Sequence, residues 1–272
     1  MTAREDTGLA AVIDQLAMSG AAGFEWYKDS CLVRRIEVRM RALRADSLLA
    51  YAAMLREDPG EVDRLLHTIS VRVTGFFRNP DSWLRLRDVL ATERTGSARA
   101  TLTAWSMGCA TGEEAWTLAM LLTDHALRQG GIPADRILVH GSDVDPQALV
   151  QAEARRYLPP AAVAIREVMA RNHGTIHDGC FEVEPELGPR VVFRREDLTT
   201  VATTPESCDL ICCRNLLIFL GREGQRRVLD SAFRALTPGG LLMLGRTESL
   251  VALPDARLAP VDITHRIYRR AQ

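Results

Sequence analysis

From residue 101 onward the chain repeats one texture. Short apolar runs, "TLTAWSMG", "RILVHGSD", "RVVFRRED", "DLICCRN" and "GLLMLGR", alternate with helical stretches over 113–128, 146–156 and 222–236. Strands joined through helices pair in parallel, because an antiparallel neighbour needs only a short turn. The crossovers then place helices on both faces of the sheet. The expected fold class is α/β, a doubly wound sheet. In such a sheet ligands sit beyond the carboxyl ends of the strands, near the point where strand order reverses. Functional residues are therefore sought at strand ends. "LTPGG" reads as a turn feeding the last strand. Residues 157–190 are too long for a simple crossover, and the alternation in Phe181-Glu-Val-Glu predicts a small antiparallel insertion.

Residues 8 to 70 read differently. "GLAAVIDQLAMSG", "CLVRRIEVRMRALRA", "SLLAYAAMLRED" and "EVDRLLHTISVRV" place apolar residues with a period of about 3.6. Asp46 or Ser47 caps the third helix, and Pro59-Gly60 ends it. The expected division is a small all-α domain over 1–75, a linker helix and polar linker over 76–100, and the α/β domain over 101–272 with its insertion at 157–190.

Composition narrows the function by exclusion. The 272 residues are 47% apolar and 25% charged, with a formal net charge of −1. No global field favours nucleic acid. No apolar run reaches about 18 residues, so no membrane insertion is expected. The first residues lack a basic start and a signal-type apolar core. Of six cysteines none forms a C-x-x-C pair, so no metal site is expected. Cys212-Cys213 reads as a pair of small buried thiols. A reducing, cytoplasmic setting and a monomeric chain without a heptad seam follow as expectations.

The loop "WSMGCATGEE" carries the most chemistry. Gly108 and Gly112 allow backbone to approach a ligand closely. Glu113 and Glu114 make the following helical turn acidic. A helix N-terminus favours anions, yet a phosphate would be repelled by these two carboxylates. The spacing is G-x-x-x-G, not the dinucleotide G-x-G-x-x-G. The loop suits a cationic group, such as an α-ammonium or a sulfonium. Asp143 ends the next strand, where such folds bind ribose hydroxyls. Asp145-Pro146 reads as a helix cap and first turn. Asp197 ends a third strand, placed for an adenine amino group or as a loop cap. Arg214-Asn215 follows a fourth.

Together "VTGFFRNP", "WSMGCATGEEAWTLAMLL", "GSDVDPQAL", "CRNLLIFL" and "LTPGGLLMLGRTESL" resemble the chemotaxis receptor methyltransferases, the CheR family. "YKDSCLVRRIEVRM" and "YAAMLREDPGEVDRLL" resemble its N-terminal helical domain. The resemblance spans residues 8 to 268. It implies a Rossmann-like S-adenosyl-L-methionine methyltransferase domain behind an all-α domain. The implied reaction esterifies glutamate side chains on a methyl-accepting chemoreceptor-type helical protein and leaves S-adenosyl-L-homocysteine. By the family's motifs, Thr74 and Arg78 line the cofactor site near the methyl. Glu114, more than Glu113, contacts the methionine or ribose part. Gly108 lies against the cofactor and Asp143 holds the ribose. Asp197-Leu198 and Arg214-Asn215 flank the adenine and the substrate mouth. Arg78 is the candidate catalytic residue, steering the incoming carboxylate; a salt bridge fixing the linker is its structural alternative.

The second helix reads as the substrate dock. At 100° per residue, Leu32, Val33, Ile36, Met40 and Leu43 share one arc. Arg34, Arg35, Arg39, Arg41 and Arg44 lie outside it, available to an acidic helix. Two departures from the family matter. Phe219 stands where many relatives have a tyrosine given a catalytic part. "GTIHDGC" replaces a "GPHEG"-like loop associated with a receptor's tether peptide, which implies a tether-independent substrate. A non-catalytic binding protein, or a methyltransferase for another carboxylate, remains as the alternative.

Overall fold

A computed structural model describes residues 3–70, 74–92, 101–129, 133–158, 173–200, 205, 207–250 and 257–271. The first part is helical: α1 Ala3–Met18, α2 Asp29–Leu43, α3 Leu48–Glu57 and α4 Pro59–Ile69. Their apolar faces meet in one core that includes Val12, Leu16, Leu32, Ile36, Tyr51 and Leu65. Ser47, not Asp46, caps α3, its side chain accepting from the Ala50 N–H at 3.2 Å. Pro59 opens α4 rather than only ending α3, with Asp58 as its cap. Proline suits that first position because the N–H it lacks would be unsatisfied there anyway.

The arc on α2 is only partly buried as expected. Leu32 and Ile36 are inside, but Leu43 is 38% exposed; Val38, off the arc, is 41% exposed. Arg39 departs from the docking set. Its Nε and Nη2 donate to both oxygens of Glu61 at 2.8 and 2.7 Å. Glu61 is 1% exposed and also accepts from Tyr51 Oη and Arg64 Nε. A buried carboxylate demands such partners, so α4 claims Arg39 as a structural ion.

The α/β part holds β1 Leu102–Met107, α6 Glu113–Gln129, β2 Ile137–Asp143, α7 Pro146–Ala154, β6 Val191–Arg195 and β7 Cys208–Cys213. It closes with α8 Arg222–Ala235, β8 Leu236–Leu244, β9 Leu258–Asp262 and β10 Ile267–Arg270. The sheet order is β6-β2-β1-β7-β8-β10-β9. The strands β6 through β8 are parallel, as expected; β8, β10 and β9 add an antiparallel edge that the apolar runs did not announce. Strand order reverses between β1 and β7. All six residues of β1 are buried, which explains its unbroken apolar texture. All six cysteines are free thiols, with Cys212 and Cys213 buried in β7.

A second sheet, β3-β5-β4, is antiparallel, with β3 Arg156–Tyr157, β4 Gly174–His177 and β5 Cys180–Val183. Helix α7 stops at Ala154, two residues before the expected end, because Arg155 turns left-handed and Arg156 joins this sheet. Helix α5, Pro80–Thr92, is no free linker. Its Trp83, Leu86, Val89 and Leu90 share the core with α6 and the main sheet. The expected polar linker at 93–100 lies outside the described residues. Among the described residues no helix is long and apolar enough to cross a membrane, and no cluster of ligating side chains is placed to hold a metal.

The Glu61 cluster yields a stability prediction. Burial pushes its carboxyl up, but hydrogen bonds from Arg39, Arg64 and Tyr51 outweigh this and hold it at about 2. This stabilisation is present above the ordinary value of 4.5 and is lost as pH falls toward about 2. Arg39→Ala should destabilise the helical part by about 3 kcal/mol at neutral pH, and urea unfolding measures it. An unchanged midpoint would remove Arg39 from this role.

Candidate functional site

Two adjoining cavities open at the carboxyl ends of β1, β2, β6 and β7. They share Gly108, Ala110, Asn215 and Phe219, and so form one cleft. One end is lined by Asp143, Glu196, Asp197 and Leu198, with Tyr27 facing from the helical part. The other end is lined by Thr74, Arg78, Glu114, Arg214 and Ile218.

The β1 loop is built on positive φ angles: 72° at Gly108, 48° at Ala110 and 90° at Gly112. Gly108 and Cys109 donate backbone N–H groups to the Ser142 carbonyl, tying the loop to β2. Gly108 borders both ends of the cleft, as expected of a residue against a ligand. Gly112 serves another purpose. A Cβ there would lie 2.6 Å from the Ala152 Cβ, so this glycine lets α6 start tight against α7. The two acids also part company. Glu113 is 6% exposed, receives the Thr111 hydroxyl at 2.6 Å, and does not border the cleft. Glu114 borders the cleft, accepting from Ser106 Oγ at 2.9 Å and Arg214 Nη1 at 3.2 Å.

At the end of β2, Asp143 accepts the Ala110 N–H on Oδ2 and the Asp145 N–H on Oδ1, both at 2.9 Å. Burial pushes its carboxyl above the usual carboxylate range, against these two backbone hydrogen bonds. Asp145 is the α7 cap, accepting from Gln147 and Ala148. At the end of β6, Asp197 folds a tight turn by accepting from the N–H and hydroxyl of Thr199 on Oδ1. Its Oδ2 is buried and accepts no hydrogen bond from any described residue. Burial raises this carboxyl too.

Arg214 is buried at the end of β7 and clamps three loops. Besides Glu114, its Nη2 donates to the Arg78 carbonyl at 2.8 Å and to Asn79 Oδ1 at 3.2 Å. Its guanidinium lies 4.9 Å over the Trp83 ring. The Thr74–Arg78 loop is pinned from below: Phe76 and Phe77 are 1% exposed, and Phe76 packs edge-on against Tyr157 and Phe181. Thr74 and Arg78 are left at the cleft. Asn215 adopts a left-handed φ of 62°. It is held there by Glu248, whose Oε2 accepts from the Asn215 and Gly245 N–H groups at 2.8 Å.

Known proteins with this sequence pattern identify the architecture. Residues 72–266 match the family described as "CheR methyltransferase, SAM binding domain". Residues 23–70 match "CheR methyltransferase, all-alpha domain". The chain belongs to the CheR methyltransferase family. It is 34% identical over 96% of its length to an uncharacterised 104.1 kDa protein of Rhodobacter capsulatus, and spans only 27% of that relative. It is 31% identical to a chemotaxis protein methyltransferase of Klebsiella aerogenes, over 82% of this chain and 76% of the relative. A chemotaxis protein methyltransferase of Listeria innocua is 27% identical, over 87% of each chain.

The cleft suits the cofactor of a CheR methyltransferase, S-adenosyl-L-methionine. Asp143, Asp197 and Leu198 border one end of the cleft, and a nucleoside has amino and hydroxyl donors to give such carboxylates; the orphan Oδ2 of Asp197 itself is packed under Gly23. Of the CheR-type site residues expected from sequence, the fold brings Thr74, Arg78, Gly108, Glu114, Asp143, Asp197, Leu198, Arg214 and Asn215 to one cleft. Glu113 faces away. Arg34 and Arg41 are exposed on α2 and Arg35 is partly exposed; none of them lines the cleft. Four contributors were missed. Glu196 lines the cleft beside Asp197 and accepts the Ser142 hydroxyl at 2.6 Å. Asn79, before Pro80, helps hold Arg214. Tyr27 and Glu248 come from the helical part and from beyond β8. No spacing announces either; folding brings Tyr27 to the cleft wall and sets Glu248 behind Asn215.

Glu248 offers a clean test. Glu248→Ala would strand the buried N–H groups of Asn215 and Gly245, at a cost of about 2–3 kcal/mol in stability. Asn215 would then leave its left-handed position, and affinity for S-adenosyl-L-homocysteine should fall about tenfold by calorimetry. Wild-type affinity in this variant would show that Asn215 does not depend on Glu248.

Proposed function

We propose that this chain methylates glutamate side chains on the cytoplasmic helices of a methyl-accepting chemoreceptor-type protein, using S-adenosyl-L-methionine and working in the cytoplasm. The observation that carries the proposal is the polarity of the cleft. Asp143, Glu196 and Asp197 gather at one end, while Arg78 and Arg214 stand at the other with Thr74 and with Glu114, to which Arg214 is paired. The cofactor supplies an electrophilic methyl on a positively charged sulfur. Asp143 and Asp197 accept hydrogen bonds from its nucleoside, Leu198 packs on the adenine, and Glu114 takes the methionine or ribose part. Thr74 and Gly108 shape the wall around the methyl. An acceptor glutamate is ionised at neutral pH, with an ordinary pKa of about 4.3. No residue therefore needs to remove a proton. Arg78 steers that carboxylate into line by charge-assisted hydrogen bonds. Alignment of this kind is worth on the order of 7–11 kcal/mol.

Docking falls to α2. The helix starts directly after Lys28, whose backbone N–H and Nζ are bonded to the carbonyls of Phe219 and Ile218. Its arginines therefore begin within about two turns of the cleft wall. Arg34, Arg35 and Arg41, with the exposed Val38 and Leu43, offer cationic and apolar contacts to an acidic amphipathic helix. The "GTIHDGC" hairpin supports a substrate recognised without a tether.

Incubation with labelled cofactor and cognate receptor should release base-labile methanol. A small carboxylic acid labelled in place of the receptor would redirect the proposal, and cofactor binding without any ester would make the chain a binding protein. Arg35→Ala with Arg41→Ala should raise KM for receptor several-fold while cofactor affinity holds. Unaltered receptor kinetics would exclude α2 as the dock.

A further inference from the structure

The segment between α1 and α2 is tied to the connection between β7 and α8. Gly221 donates its N–H to the Trp26 carbonyl at 2.8 Å, and Lys28 donates its own to the Phe219 carbonyl at 2.9 Å. These bonds form an antiparallel bridge between Tyr27 and Leu220. Arg227 lies 4.1 Å over the Trp26 ring, and a Cβ on Gly224 would meet Trp26 within 3 Å. Gly23, at φ 92°, presses on Asp197 so closely that a Cβ would lie 1.9 Å from its Oδ2. The helical domain thus forms a wall of the cleft at its carboxylate end. Tyr27 and Ser70 are the polar side chains of that wall. The ring of Tyr27 stacks at 5.0 Å on Phe24 and packs against both the helical core and the α8 side of the sheet. Its hydroxyl makes no hydrogen bond to any described residue. Burial, and then the charges of Asp143 and Asp197, push that hydroxyl above its ordinary value, so it stays protonated as a donor.

We propose that Tyr27 is a nucleoside-binding residue of the cofactor cleft, contributed by the helical domain, whose hydroxyl donates to the nucleoside that Asp143 and Asp197 hold from the opposite side. The assignment rests on the cleft reading given above. Because the backbone of residues 26–28 is already hydrogen-bonded to residues 219–221, the ring is positioned before any ligand arrives. Binding then costs little ordering of this side chain. The same arrangement makes the cofactor site incomplete without the helical domain.

Calorimetric titration of the full chain with S-adenosyl-L-homocysteine and with adenosine tests this, on wild type and Tyr27→Phe. The phenylalanine keeps the ring packing, and an unchanged Tm checks that it does. Tyr27→Phe should weaken both ligands by the same factor, about five- to tenfold, since the lost contact is to the part they share. Should Tyr27→Phe change the fold, Tyr27→His, which keeps a ring donor, must bind both ligands more tightly than Tyr27→Leu. Equal affinity of wild type and Tyr27→Phe for both ligands overturns the role of Tyr27 and leaves the cleft intact. A loss confined to S-adenosyl-L-homocysteine overturns the nucleoside contact. A wild type that binds neither ligand overturns the cleft and this inference together.

Discussion

The buried guanidinium of Arg214 is the interaction on which the cleft depends. It reaches from the end of β7 to Glu114 on α6, to the Arg78 carbonyl and to Asn79, and lies over Trp83. Those groups come from two segments distant in sequence, the start of α6 and the stretch from Arg78 to Trp83, and Arg214 itself brings the β7 loop as a third. A planar fork with five donors can satisfy several acceptors at fixed angles, which a lysine ammonium cannot. Losing it would leave the Glu114 carboxylate buried without its counter-ion. The β1 loop, the Thr74–Arg78 loop and the β7 loop therefore hold one geometry because one ion is shared among them.

A second constraint acts across the two domains. The antiparallel bridge at Tyr27 and Leu220 uses backbone groups, so it fixes position without dictating side chains. Gly224 leaves room for the backbone and Cβ of Trp26, while Arg227 covers the Trp26 ring. Through this seam the helical part reaches the α/β part with the loop before α2. Ala22, Phe24 and Tyr27 of that loop line the cleft.

The sheet and the strand-end residues were legible in the sequence because both follow from local pattern. β1, β2, β6, β7 and β8 are apolar runs, and a parallel sheet puts its ligand at their ends. Asp145 was readable as a cap from its proline neighbour. What escaped depended on long-range partners. Arg39 sits at the right angle on α2 for a solvent-facing docking residue, but Glu61, 22 residues on, is buried and recruits it. Gly112 looked like a ligand-facing glycine until Ala152 occupied the space beside it. Tyr27 and Glu248 carry no spacing signal, since Tyr27 reaches the cleft, and Glu248 reaches Asn215, through tertiary contacts. The antiparallel edge, β10 and β9, is short and polar-faced and shows no strong alternation.

The charge pattern of the cleft differs from the one the glycine loop alone implied. Glu113 is turned into the protein, and Glu114 is paired with Arg214, so the helix start offers no two free carboxylates to a sulfonium. Two further carboxyls lie at the end formed by Asp143 and Asp197, held by backbone N–H and hydroxyl donors and raised by burial. With Arg78 at the opposite end, the cleft has a direction. On the proposed reading, the nucleoside relieves the carboxylates at one end, and an anionic acceptor is drawn toward the cation at the other. The reacting methyl then lies between the two, in the stretch bounded by Gly108, Ala110, Asn215 and Phe219 that both halves of the cleft share.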